Sequence, residues 1–431
     1  MPAACPPCGP RSPAATGAGS PDRSPSRYCC RSPPGSSTAR CGWAGAEGCA
    51  AVTDLIPRPT ARDVAYGVVL GLDPAAPAPA ARSDPALPPL VALERAVLPA
   101  LHRPPCLVSF SGGLNSSLVL ALAARVARRE GLPDPVPVTW RFTDAPGAQE
   151  TPWQAKIIAE LDLTRQWQIL QAGDDLDLVG PVARRLLTRY GQVHPPDRHL
   201  HLPIVELARG GALLTGVGGD QILAGWRRRP ASLRARLARL GRLRTGLRAR
   251  RPELLPWLRP EVARQARRAF AAEQRAEPHR LAARIAWHLR RRDLSMTRVS
   301  LAAIAADHDV LAVAPLLDER FAAALAARHG RLRSPSRQEL LAAIADAALP
   351  PVIIAPRRKA TFDEVFLRTA TRELVRAWDG SGVDDSLVDV AALRREWSRW
   401  RFDSRTAALV QQVWLAGLSA TEGRPDLEAP R

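Results

Sequence analysis

The nine residues SFSGGLNSS (Ser109 to Ser117) collect groups suited to holding an anion. Gly112 and Gly113 let the backbone come close to a ligand, and the hydroxyls of Ser111, Ser116 and Ser117 can donate hydrogen bonds. An apolar run precedes the turn and a helical pattern succeeds it, so the N–H groups of a helix start would face the same ligand. Phosphate binding is the natural chemistry of such a turn, although strand-to-helix glycines also arise for packing alone. Neither G-x-x-x-x-G-K-[ST] nor G-x-G-x-x-G is present in it. Asn115 stands among these groups as a neutral amide.

Two other clusters carry potential ligands. His194, His199 and His201 lie in HPPDRHLHLP, but no carboxylate or cysteine arrangement completes a metal site, so a solvated loop is expected. Six of the seven cysteines (Cys5, Cys8, Cys29, Cys30, Cys41 and Cys49) fall within Pro-, Gly- and Ser-rich sequence. Cys5-x-x-Cys8 has no second matching pair, which favours a low-complexity extension over a zinc site.

The elements that must position these groups alternate along the chain. PLVALERAVLPALHR reads as a lead-in helix, Cys106 onward as a buried strand, and Ser116 to Glu130 as a helix closed by Gly131. Further strands are expected at Val136 to Phe142, Gln166 to Leu170 and Ala212 to Gly216, with helical patterns between them. Buried-type strands alternating with helices predict an α/β fold, a Rossmann-like parallel sheet with helices on both faces. Beyond Asp220 no strand is expected, so the C-terminal part is predicted to be mostly helical. The predicted organisation is a disordered extension (1–60), a short N-terminal segment with the lead-in helix (61–105), an α/β core (106–226) and a helical remainder (227–431).

Composition sets outer bounds. The 431 residues are 46% apolar, enough for one large core or two ordinary ones. No apolar run reaches about 18 residues and no secretory pattern opens the chain, so no membrane partner is expected and the cytoplasm is the predicted location. The net charge of +19 is almost wholly arginine, since Lys156 and Lys359 are the only lysines. Such an Arg, Ala and Pro bias reflects GC-rich coding and weakens the case for a nucleic-acid partner. From Arg227 to Arg251 there are eleven arginines and no acid, with leucines at spacings of four and three. This reads as a helix packed by its leucines; the alternative is a dock for an acidic peptide, a phosphate-rich ligand or RNA.

SFSGGLNSS strongly resembles the SGGxDS pyrophosphate loop of the ATP pyrophosphatase (PP-loop) superfamily. ALLTGVGGDQILAGW (Ala212 to Trp226) resembles the second, SGxGxDE-type loop of the asparagine synthetase family. VAPLLDERF, SRQELLAAIADAALPPVIIAPRRKATFDEVF and GAQETPWQAKIIAELDL resemble three further segments of that family's synthetase domain, in the expected order. The resemblance implies an ATP-dependent ligase that adenylates a carboxylate, releases pyrophosphate and forms an amide, with ATP and Mg2+ required. It assigns Ser109, Ser111, Gly112, Gly113, Asn115, Ser116, Phe142, Thr215, Gly216, Gly218 and Gly219 to ATP and pyrophosphate, with Phe142 near adenine. Asp220 and Asn115 would be the metal ligands. Lys359 would be catalytic, its ammonium set against the acyl-adenylate; in a chain that writes arginine almost everywhere, this lysine marks a need for a compact donor.

Three positions depart from the family pattern. Asn115 replaces an aspartate, which lowers the charge offered to a metal. Val217 stands where relatives carry a Glu or Tyr that serves the reaction, so a general base would come from elsewhere. Gln221 replaces the Glu that comes after Asp220. Asp144 and Glu150 come after the second strand, at the carboxyl edge where ligands bind in such sheets; binding a substrate amine or adding acidity near the metal is one reading of them, and not the favoured one. Pro2 occupies the place of a glutaminase nucleophile, and about 100 residues ahead of the core could not house that domain. The implied nucleophile is ammonia or an amine, within a specialised biosynthesis that could involve a peptide substrate or a separate partner protein. The alternative is a degenerate synthetase acting as a non-catalytic scaffold.

Overall fold

The computed structural model describes residues 52–76, 87–142, 145, 151–226, 255–328, 335–345, 348–355, 363–399 and 401–422. Lys359, Asp144, Glu150, the six N-terminal cysteines and the arginine-rich stretch from Arg227 to Arg251 lie outside the described residues.

Five parallel strands form the sheet: β1 (Cys106–Ser109), β2 (Val136–Phe142), β3 (Gln168–Ala172), β4 (Ala212–Leu214) and β5 (Leu311–Val313). Their spatial order is β3-β2-β1-β4-β5. Leu107 pairs with both Val136 and Leu213, so β1 is the central strand. Strand periodicity sends alternate residues to opposite faces. Cys106 and Val108 of β1, with Ala212 and Leu214 of β4, join one apolar core, whereas Leu107 and Leu213 join another. Burial on both faces is why these strands read as continuous apolar runs.

The first face is covered by α2 (Pro89–Leu101), α3 (Leu114–Arg129) and α4 (Thr151–Glu160), and by later helices that include α10 (Glu319–Arg328) and α11 (Arg337–Ala345). The opposite face is covered by α6 (Leu202–Leu207) and α9 (Arg292–Asp307), through Ile204, Val205, Leu301 and Ala305. A separate apolar core gathers Trp257, Trp378, Trp397 and Phe402 with Val64 and Tyr66 of α1 (Ala61–Tyr66). There Trp257 donates its Nε1–H to the Ala65 carbonyl at 2.8 Å. The α/β class with a helical C-terminal part is therefore correct.

The expected end of the strands does not hold. Strands do not stop at Asp220, because Leu311–Val313 forms β5 on the outer edge of β4. Three residues between helices show no period, and their strand state is imposed by pairing with β4. β5 also anchors the loop leaving its neighbour: the Val313 carbonyl accepts from the Thr215 N–H at 3.0 Å.

The order 3-2-1-4-5 reverses direction between β1 and β4. In open α/β sheets ligands bind at that switch point, outside the carboxyl ends of the strands. The two loops singled out in the sequence leave β1 and β4 there.

The histidine stretch also differs from expectation. It is not a solvated loop: Pro196–His201 forms a 3-10 helix, and His199 is fully buried between the carbonyls of Leu176 (2.9 Å) and Pro196 (3.3 Å). His194 pairs instead with Asp293 at 2.8 Å. Burial, reinforced by the charge of Arg198, pushes the His201 imidazole down to about 3. These are packing histidines, with His199 answering backbone carbonyls and His194 answering Asp293.

Candidate active site

The first loop is built by serine hydroxyls folding the turn onto itself. Gly112 adopts φ +87°, a left-handed conformation open to glycine, and Gly113 caps α3 with extended backbone and no side-chain hydrogen bond. Ser111 Oγ receives the Gly113 N–H at 3.2 Å and lies 3.1 Å from Ser116 Oγ. Ser117 is turned inward, donating to the Gly113 carbonyl at 2.7 Å, so its hydroxyl is spent on the turn. From α4, Gln154 is buried and donates its Nε2–H to the Ser111 carbonyl at 2.9 Å. Ser109 ends β1 half-buried just before this turn.

The second loop lies directly against the first. A Cβ on Gly219 would come within 2.3 Å of Asn115 Cγ, and one on Gly216 within 2.9 Å of the Ser116 nitrogen. Gly218, at φ +85°, lies so close to Leu317 that a Cβ would fall 2.1 Å from its Cδ2. These glycines are thus required by contact: only bare backbone lets the loops meet each other and the Pro315–Leu317 turn. Asp220 opens a π-helical turn, Asp220–Ala224.

Asn115 and Asp220 are brought together, at 3.0 Å between Asn115 Nδ2 and Asp220 Oδ1. A third residue completes the cluster. Arg337 donates from a terminal guanidinium nitrogen to Asn115 Oδ1 at 2.8 Å, and the same nitrogen is 3.2 Å from Asp220 Oδ1. Arg337 begins α11, whose start is fixed by reciprocal bonds: Ser336 N–H to Glu339 Oε2 at 2.6 Å and Glu339 N–H to Ser336 Oγ at 3.2 Å. Two buried atoms here, Thr215 Oγ1 and Arg337 Nε, have no hydrogen-bond partner among the described residues. A buried polar atom left without a partner is costly, so each of these two donors calls for an acceptor.

The remaining assigned residues fall around this centre. Thr215 comes directly after β4 and is buried. Phe142 ends β2 at the same sheet edge, but its ring is buried among Ala145, Ala172, Leu176 and Val365. Val217 is half-buried against the main core, so nothing at that position can take a proton. Cys106, at the start of β1, is buried, and burial pushes its thiol up to about 12, which keeps it inert.

The donor set at the loops is sparse for a magnesium ion. Among the described residues no group of three or more His, Cys, Asp or Glu is arranged to hold a metal. Magnesium is commonly held by one or two carboxylates together with substrate phosphates. Asp220 fits that role for an ion arriving with a nucleotide, where it would neutralise phosphate charge. Asn115 adds no charge, and its oxygen already accepts from Arg337.

Behind the second loop lies a closed polar cluster. Glu277 Oε1 accepts from the Trp226 N–H at 2.8 Å and lies 2.8 Å from His288 Nε2, with the Glu277 and His288 side chains wholly buried. Burial pushes the His288 imidazole down to about 4. Arg291 stacks on Trp226, 3.8 Å from the ring centroid. Gly225, at φ +65°, abuts this cluster: a Cβ there would lie 2.6 Å from Glu277 Oε1.

Sequence reasoning missed Arg337 and Gln154. The signal for the first was the Ser-x-x-Glu pattern at Ser336 to Glu339, which marks a helix start; Gln154 had none. A comparison with curated proteins returned no match. The family model described as asparagine synthase matches residues 91–420, which include both loops, the Pro315–Leu317 turn and Arg337. The chain belongs to the asparagine synthase family.

Proposed function

We propose that this protein activates a carboxylate as its adenylate and passes the acyl group to an amine or ammonia. Family membership supports an ATP-dependent carbon–nitrogen ligase in general. The observation that carries the finer reading is the meeting of the two loops, with Asn115 against Asp220 and Gly219, beside Thr215 Oγ1, which has no partner among the described residues. A carboxylate oxygen attacks the α-phosphorus of ATP, the α–β bridging bond breaks, and pyrophosphate leaves toward Ser111, Gly112, Gly113 and Ser116. An amine then attacks the acyl carbon, AMP leaves and the nitrogen loses a proton. Magnesium, bound through Asp220, would supply charge neutralisation at the phosphates. Lys359 would face the developing oxyanion, worth roughly a hundredfold or more in rate. With Val217 at the position of the usual reacting side chain, the proton acceptor belongs to the substrate or to another residue. A specialised carboxylate, with the amine on a second substrate or on the same molecule, fits this departure better than free aspartate.

ATP–pyrophosphate exchange across a panel of carboxylates tests the reading. Exchange with at least one carboxylate is expected, and Lys359→Ala should lower amide formation more than it lowers exchange. Absence of any nucleotide binding by the wild type would overturn it.

One observation favours a second reading, a non-catalytic binding protein: Asn115 is committed to Asp220 and Arg337. If the wild type turns nothing over while Asn115→Asp gains magnesium-dependent ATP cleavage, that reading stands and the enzyme reading falls.

A further inference from the structure

The contact between Asn115, Asp220 and Arg337 has a chemical logic of its own. A side-chain amide can donate to a carboxylate with one end and accept from a guanidinium with the other. Asn115 does both, at 3.0 Å to Asp220 and 2.8 Å from Arg337. Each neighbour independently demands the same orientation of the amide, so its two ends are fixed. An aspartate at position 115 would instead put two carboxylates about 3 Å apart. Like charges at that range do not both ionise unless a cation lies between them. With asparagine, the loops are held together by protein groups alone.

The charge balance changes accordingly. The cluster joins one carboxylate to one guanidinium, so the pocket that receives phosphates carries one negative charge fewer than it would with aspartate at position 115. Arg337 still has a donor to give: its Nε is buried, has no hydrogen-bond partner among the described residues, and belongs to a side chain 30% exposed beside the loops. The planar guanidinium matches two phosphate oxygens at once and never loses its charge. Thr215 Oγ1, buried and likewise unpartnered among the described residues, lies at the start of the second loop.

We infer that Arg337 is a phosphate-binding residue of this site, and that the Asn115–Arg337 bridge replaces one of the cations a two-carboxylate site would need. The inference rests on the nucleotide-binding reading above and deepens it. Its consequence is that ATP binds with protein-borne charge, so nucleotide affinity depends only weakly on magnesium even where turnover requires the ion.

The test is calorimetric titration of the full chain with ATP, once with excess magnesium and once with EDTA. For the wild type, the two affinities should lie within about tenfold. Arg337→Met should weaken binding in EDTA by roughly ten- to a hundredfold, the span of a lost charged hydrogen bond. Its loss in magnesium should be smaller. Arg337→Lys keeps the charge without the fork and should fall between, which keeps the test usable if the methionine variant does not fold. Asn115→Asp should make binding steeply magnesium-dependent. Wild-type binding that vanishes in EDTA while persisting in magnesium would overturn this inference alone, as would Arg337 variants that bind like wild type in EDTA. Failure of the wild type to bind ATP under either condition would remove the inference together with the function it rests on.

Discussion

Two polar clusters flank the second loop, and they differ in access. On one side Asn115, Asp220 and Arg337 share three contacts while staying partly open, with the Arg337 and Asp220 side chains 30% and 45% exposed. On the other, Glu277 and His288 are wholly buried, with Trp226 and Arg291 packed against them. Both join the loop to the helical part of the chain. The open cluster has an arginine whose Nε meets no acceptor among the described residues, at a sheet switch point; the closed one spends its acceptor on a backbone N–H and an imidazole. Polar groups of the same types are thus left open to solvent on one side of the loop and sealed from it on the other.

The sharpest way to break this comparison is to injure the closed cluster. Glu277→Ala strands the part-buried Trp226 N–H and the buried His288 ring, and should cost about 3 kcal/mol. Urea denaturation would read it, and ATP affinity of the folded fraction should change little. An equal loss of affinity would mean that the two clusters are one.

Acid should act next, on His288 of the closed cluster and on His201 of the Pro196–His201 helix, which lies outside it. His288 and His201 are held down, to about 4 and about 3, from the ordinary 6.5. Below pH 6.5 the unfolded chain takes up protons that the folded chain refuses, so stability falls as pH drops from 6.5 toward 4. Each histidine contributes up to about 1.4 kcal/mol per pH unit. Denaturation midpoints across that window should slope downward toward acid, and His288→Gln should flatten the slope. A flat profile in the wild type would contradict the burial of both rings.

Gly219→Ala strikes the open side. Its Cβ would overlap the Asn115 amide, so ATP affinity should drop at least about tenfold with little change in unfolding midpoint. A purely structural loop would show the reverse pattern. The smallest effect is expected from Gln154→Ala, which frees the Ser111 carbonyl. About 1 kcal/mol, a few-fold in affinity, is the expected loss by titration.

Much of this was legible in the sequence where order is local. β1, the Gly112-Gly113 turn and α3 succeed one another without a break, each with its own pattern, and β2 runs over Val136–Phe142 as its apolar pattern predicts. Arg337 was hidden for a compositional reason: among so many arginines no single one stands out, and only the fold turns it toward Asn115. Strand β5 was hidden because three residues carry no period. The histidines misled because polarity suggests solvent, whereas His199 is buried by the carbonyl of Leu176, distant in the chain. What escaped was non-local each time.

β5 also bears on how the protein can be cut. It comes from residues 311–313, about a hundred positions beyond the strand it covers, yet it supplies the outer ladder of β4 and the carbonyl that holds Thr215. A fragment ending at residue 226 would contain both loops but would present β4 as a bare apolar edge. Such edges template pairing between chains, so the fragment is expected to aggregate. The smallest soluble piece able to grip a nucleotide must therefore reach past Val313, and through α11 if Arg337 is to take part.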